Sequence, residues 1–206
     1  AMAKDPGEAL RDPIAGPLSH EWIGRYAETV AQIAALFHDD VAYFELFNEP
    51  DDWHGSNRNW VHPEWFALML QEVHNRVRSD PAIRHIKLIS GPLQGLDING
   101  NAGADYLRRT YQAGRRLFGW GQMGVPFPFD GVGYHLYIAQ NPAQIEAEID
   151  AQYRHYMEGV RRVIREEEGV DKPVYLSEFG WQSSVTGDAR QADCMRVGAE
   201  CVVKDP

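Results

Sequence analysis

The chain has only two cysteines, and their positions exclude a disulfide scaffold. Cys194 and Cys201 fall in one expected helix, where seven residues rise about 10 Å, beyond the reach of a disulfide. They read as free, half-buried thiols, which lean only slightly toward a reducing compartment. No apolar run is long enough to span a bilayer, and no biased tract marks a disordered segment. Basic side chains are scarce: twenty Lys and Arg face thirty Asp and Glu, for a net charge of −10. So acidic a surface repels phosphate backbones and argues against a nucleic-acid partner. No Gly-x-Gly-x-x-Gly follows a strand, so the phosphate fingerprint of a dinucleotide fold is missing. The eight histidines include no His-x-x-x-His pair, and no cysteine-rich cluster accompanies them. Neither a metal site nor a cofactor is therefore expected. Ser183 and Ser184 lack a nucleophile elbow, which removes serine-dependent hydrolysis. The start, Ala1-Met2-Ala3-Lys4-Asp5-Pro6, has no apolar core of a signal peptide, leaving secretion and cytoplasm both open.

What is present is a strand–helix alternation in 206 residues, a length that suits one domain or two small ones. Residues 1–18 read as a lead-in, and 19–206 as the folded domain. A helix is expected from Ser19 to Phe37, with Trp22, Tyr26, Val30, Ile33 and Phe37 on one face. The run Val41–Phe47 is β-branched and aromatic and ends at Asn48-Glu49-Pro50, a strand meeting a turn. Pro63 suits the first position of a helix reaching Ser79. Further strands are expected at Ile86–Ser90, Gly131–Tyr137 and Pro173–Gly180. Helices are expected over Ala104–Leu117, from an Asn141 cap and Pro142 to Gly169, and over Ala189–Val203.

Strands alternating with helices of this length imply a parallel sheet with right-handed crossovers. A doubly wound sheet and a (β/α)₈ barrel compete. Polar residues gather at the carboxyl ends of three strands: Asn48 with Glu49, His135 with Tyr137, and Glu178. Barrel active sites are built there, which favours the barrel. Only four strands are visible, so an incomplete (β/α)₈ TIM barrel of α/β class is expected. Its two open edges predict self-association or further barrel strands as partners.

Glu49 and Glu178 each end a strand, with two strands between them. On a ring such positions face one another across the mouth, and two carboxyls about 5 Å apart suit double-displacement glycoside hydrolysis. Taken singly, each Glu reads more simply as a surface carboxylate at a loop start. At this point the sequence resembles the clan A glycoside hydrolases, the cellulase-like family 5 and family 39-like retaining enzymes. Phe47-Asn48-Glu49-Pro50 is similar to their strand-four Asn-Glu-Pro signature. His135-Leu136-Tyr137 is similar to the His-x-Tyr of strand six in family 5. Ser177-Glu178-Phe179-Gly180-Trp181 resembles the strand-seven nucleophile segment. The resemblance would make the chain strands four to seven of the barrel, with Glu49 the acid/base and Glu178 the nucleophile. It implies that Asn48 binds the sugar 2-hydroxyl, that Tyr137 donates to Glu178, and that His135 lies beside the acid/base or substrate. Trp181 would partly replace a missing strand-eight Trp as the cleft floor.

Trp53 and Trp60, with His54 and His62, lie in the loop after the first strand. There Trp53 or Trp60 either stacks on a sugar or closes an apolar loop cluster. The leading expectation is thus a retaining hydrolase of β-linked polysaccharide or oligosaccharide. The alternative is an inactive barrel fragment that binds carbohydrate weakly or associates with a missing half or another copy. A third reading, an α/β enzyme using the two Glu for proton abstraction, leaves Asn48-Glu49-Pro50 unexplained.

Overall fold

The computed structural model describes residues 20–52, 60–94 and 102–205. The elements alternate: α1 (His20–Leu36), β1 (Tyr43–Leu46), α2 (Pro63–Ser79), β2 (Lys87–Leu93), α3 (Ala102–Phe118), β3 (Gly131–Leu136), α4 (Ile145–Glu168), β4 (Val174–Phe179), α5 (Ser183–Thr186) and α6 (Asp188–Lys204). All three strand pairings are parallel, and the spatial order is β1-β2-β3-β4. Strand order that follows chain order, with right-handed crossovers, puts every long helix on one face. The helices accordingly pack in sequence, α1 on α2, α2 on α3, α3 on α4, and α4 on α6. A doubly wound sheet requires the order to reverse, and here it does not. The fold is α/β, with the strand and helix arrangement of half a barrel.

Curvature shows in contacts between the outer strands. Laid flat, four strands would place β1 and β4 about 14 Å apart. Yet the rings of Tyr43 and Tyr175, one from each, lie 5.5 Å apart, and Ser177 Oγ donates to Glu45 Oε1 at 2.9 Å. Gly133 of β3 makes this closure possible. A Cβ there would meet Glu45 Oε1 at 2.3 Å and the Ser90 carbonyl oxygen at 2.7 Å. The face that carries these residues is concave. The other face buries Leu46, Leu88, Val132 and Tyr134 against the helices.

Several boundaries differ from the sequence expectation for identifiable reasons. In α1 the buried stripe is Ile23, Ala27, Val30 and Ala34. The expected aromatic stripe lies beside it, with Trp22, Ile33 and Phe37 exposed. Two helical stripes were available, and the one with small residues faces α2, where alanines allow close helix approach. β2 does not stop at Gly91-Pro92 but runs through them to Leu93, with a register shift between Ser90 and Leu93. A bulge accommodates the proline, and a Cβ at residue 91 would meet the Leu46 carbonyl oxygen at 2.3 Å. α4 begins at Ile145 behind Gln144, not at Asn141-Pro142, and ends at Gly169 in the left-handed conformation expected of a C-cap. α5, a single turn after β4, carries no periodic signal long enough to read. The expected lead-in, together with Trp53 and His54, lies outside the described residues.

Candidate active site at the strand ends

The turn after β1 is held in a costly conformation. Phe47 and Glu49 both adopt left-handed backbone angles, with φ of 74° and 44°. Such angles in non-glycine residues cost about 1–3 kcal/mol each and persist where surroundings impose them. Here the surroundings are specific. The Phe47 backbone hydrogen-bonds the Tyr26 hydroxyl, whose pKa burial nonetheless pushes up to about 12. Val61 N–H donates to the Pro50 carbonyl, and Asp51 Oδ1 accepts from Gln94 N–H at 2.9 Å. Asp51 and Asp52 are themselves buried. Because β2 runs on past Gly91-Pro92, it delivers Gln94 to this turn, where Gln94 Nε2 donates to Glu49 Oε2 at 3.2 Å.

The other oxygen of Glu49 meets β3. His135 Nδ1 lies 2.8 Å from Glu49 Oε1 and 3.6 Å from Glu178 Oε2. His135 is 2% exposed, so its ring is fixed by packing; the proton on the Glu49 contact belongs to whichever partner the tautomer dictates. Glu178 reaches the same place through an irregularity in β4. Tyr134 pairs with Leu176 but His135 pairs with Glu178, so Ser177 is an extra residue in the ladder. A bulge turns two consecutive side chains to one side. Ser177 accordingly bonds Glu45, and Glu178 faces His135 and Tyr137.

Tyr137 donates its hydroxyl hydrogen to Glu178 Oε2 at 2.6 Å. That bond to a carboxylate, reinforced by partial burial, pushes the Tyr137 pKa up to about 12, so it remains a donor throughout the working range. One oxygen from each Glu and a His135 nitrogen lie within 4.8 Å of one another, and this trio could hold a metal ion. The expectation of no metal ligands rested on local spacing, which cannot register donors from three strands. The two carboxyls sit in unlike surroundings: Glu49 is 14% exposed and Glu178 is 50% exposed. Glu45, deeper on the concave face, has its pKa raised chiefly by lost hydration, against the Ser177 hydrogen bond.

The structure thus brings Glu49, His135, Tyr137 and Glu178 together. Asn48 is exposed beside them at the turn. Trp181 requires correction. It is 4% exposed, its Nε1 donates to the Ala139 carbonyl, and its ring fills the space over Gly198. No ring face is left to floor a cleft, because the chain turns inward between β4 and α6. Trp60, partly buried, packs edge-on against Tyr106 with the Arg109 guanidinium over its ring. His62 caps α2, with Nδ1 accepting from Glu64 N–H at 3.3 Å. Sequence reasoning missed Gln94, because the expected strand ends at Ser90, and missed Asp51, whose role rests on its contact with the Gln94 backbone. No family model and no curated protein matches the chain, so its chemistry is read from the side chains themselves.

Proposed function

We propose that the chain carries the catalytic centre of a retaining glycoside hydrolase, built on part of a (β/α)₈ barrel. One observation supports this above the rest: Glu49 and Glu178, at the ends of the two outer strands, present carboxylate oxygens within 4.8 Å of each other. Retaining enzymes place the pair about 5 Å apart, whereas inverting enzymes leave room for a water between them. In the first step Glu178 attacks the anomeric carbon while Glu49 gives its proton to the departing glycosidic oxygen. Glu49 then takes a proton from water, whose oxygen displaces Glu178 and restores the original configuration.

The supporting groups fit these roles. Tyr137 aligns Glu178 by donating to Oε2, leaving Oε1 to attack. Gln94 holds Glu49, and His135 shares its proton. Asn48 reaches the sugar 2-hydroxyl. Hydrolysis of an aryl β-glycoside panel, with the anomeric configuration of the first product followed by proton NMR, tests the reading. A β product is expected, and an α product rejects it.

A second reading is favoured by the open sheet. Among the described residues β1 and β4 each have an unpaired edge, and Glu178 and Tyr43 are half exposed on the concave side. In that reading the chain binds carbohydrate weakly and reaches full activity only with further barrel strands or a second copy. Light scattering with and without oligosaccharide separates the two: a second-copy assembly is concentration-dependent, and a self-sufficient enzyme is not.

A further inference from the structure

Charge balance at the strand ends is poor. Among the described residues, the ion pairs of Glu49 and Glu178 are made with His135 alone. One imidazole cannot neutralise two carboxylates, and among the described residues no lysine or arginine pairs with either. Both acids are also oriented by neutral donors. Gln94 Nε2 holds Glu49 Oε2, which turns Oε1 toward the centre, and Tyr137 donates to Glu178 Oε2, the oxygen that faces His135, leaving its further lone pair open. Outer donors that fix the direction of carboxylates around a nitrogen ligand are what metal sites require.

The distances permit an ion. A tetrahedral zinc with bonds near 2.1 Å needs its ligand atoms about 3.4 Å apart. The His135–Glu49 and His135–Glu178 separations, 2.8 and 3.6 Å, bracket that value. The two carboxylates start within 4.8 Å and close by a small rotation of the half-exposed Glu178 about its hydrogen bond to Tyr137. One imidazole nitrogen with two carboxylate oxygens selects a borderline transition ion over calcium or magnesium, which prefer oxygen alone.

We propose that Glu49, His135 and Glu178 form a site for a divalent transition ion of the zinc class, and that the bound ion switches the hydrolase off. The inhibitory half rests on the glycosidase reading; the binding half does not. An ion on Glu49 Oε1 displaces the proton that leaving-group departure needs. The same ion withdraws charge from Glu178, the attacking carboxylate. Metal and glycoside therefore exclude each other.

The test is a calorimetric titration of the chain with zinc chloride, repeated with cobalt(II) and visible absorption, on wild type, Glu178→Gln and His135→Asn. Circular dichroism confirms that the variants are folded. Glu178→Gln alters a half-exposed group, so it keeps the test informative if His135→Asn unfolds. One zinc per chain is expected, with cobalt absorption typical of four-coordination. Loss of a supporting partner alone weakens metal sites about 10–100-fold, so each folded ligand variant should weaken binding at least about tenfold. No saturable binding, or equal binding in wild type and a folded variant, overturns the proposal. In the active protein, zinc should raise the apparent KM competitively and a chelator should reverse it. Binding without any glycosidase activity would remove the hydrolase reading and the inhibition while keeping the site. Hydrolysis untouched by zinc, with no binding, would do the opposite.

Discussion

Tyr137 and Glu178 are joined by a 2.6 Å hydrogen bond between the residue just past β3 and the bulged end of β4. The bond depends on Ser177 being an extra residue in the β4 ladder, because without it Glu178 would point toward the helices. A backbone irregularity thus decides which face the second carboxylate occupies.

Removing that donor should be costly. A hydrogen bond to a charged group contributes about 1.5–3 kcal/mol, so Tyr137→Phe should lower kcat/KM by about tenfold to a hundredfold. Steady-state kinetics on an aryl β-glycoside provides the check. An unchanged rate would mean that Glu178 is aligned without Tyr137.

The same bond makes a pH statement. The Tyr137 pKa is raised from 10.0 to about 12 because the neutral hydroxyl donates to Glu178. A raised value favours the protonated form, so the stabilisation is complete below pH 10 and is lost as pH climbs through about 12. Ultraviolet titration should show one tyrosine ionising later in wild type than in Glu178→Gln.

The two acids should fail differently. Glu178→Gln should abolish turnover of every substrate. Glu49→Gln should spare the first step for glycosides with good leaving groups but slow the second, giving a burst of phenol release. Equal losses on activated and unactivated substrates would remove Glu49 as the acid.

Closure of the concave face over β3 makes a stability prediction. In Gly133→Ala the added methyl would lie 2.3 Å from Glu45 Oε1 and 2.9 Å from Pro92 Cα. Overpacking of this kind costs about 1–3 kcal/mol, seen as a lower melting temperature. Trp181→Ala should cost about 3–5 kcal/mol through the cavity it leaves. Trp181→Phe, once folded, should leave KM unchanged, because the Trp181 ring does not face the mouth.

Much of the fold was legible because its signals are local. Pro63 opens α2, Gly169 closes α4, and the β-branched runs mark four strands. Glu49, His135 and Glu178 stood out because polar residues ended apolar strands. The rest depended on tertiary context. Gln94 stayed hidden because Gly91-Pro92 looks like a stop, yet it forms a bulge that carries β2 onward. The resemblance offered Trp181 as a partial replacement for a strand-eight Trp on the cleft floor, but its ring packs over Gly198 on α6. The α1 face was legible only in part, through Val30 and the partly buried Tyr26, because alanines carry less hydrophobic signal than the aromatics beside them.

The central claim, that Glu178 attacks the anomeric carbon, can be tested by trapping. A dinitrophenyl β-glycoside bearing fluorine in place of the 2-hydroxyl forms the glycosyl-enzyme quickly and releases it slowly. After incubation and digestion, mass spectrometry should find one glycosyl group, on the peptide containing Glu178. No label, or a label on any other residue, would contradict the assignment.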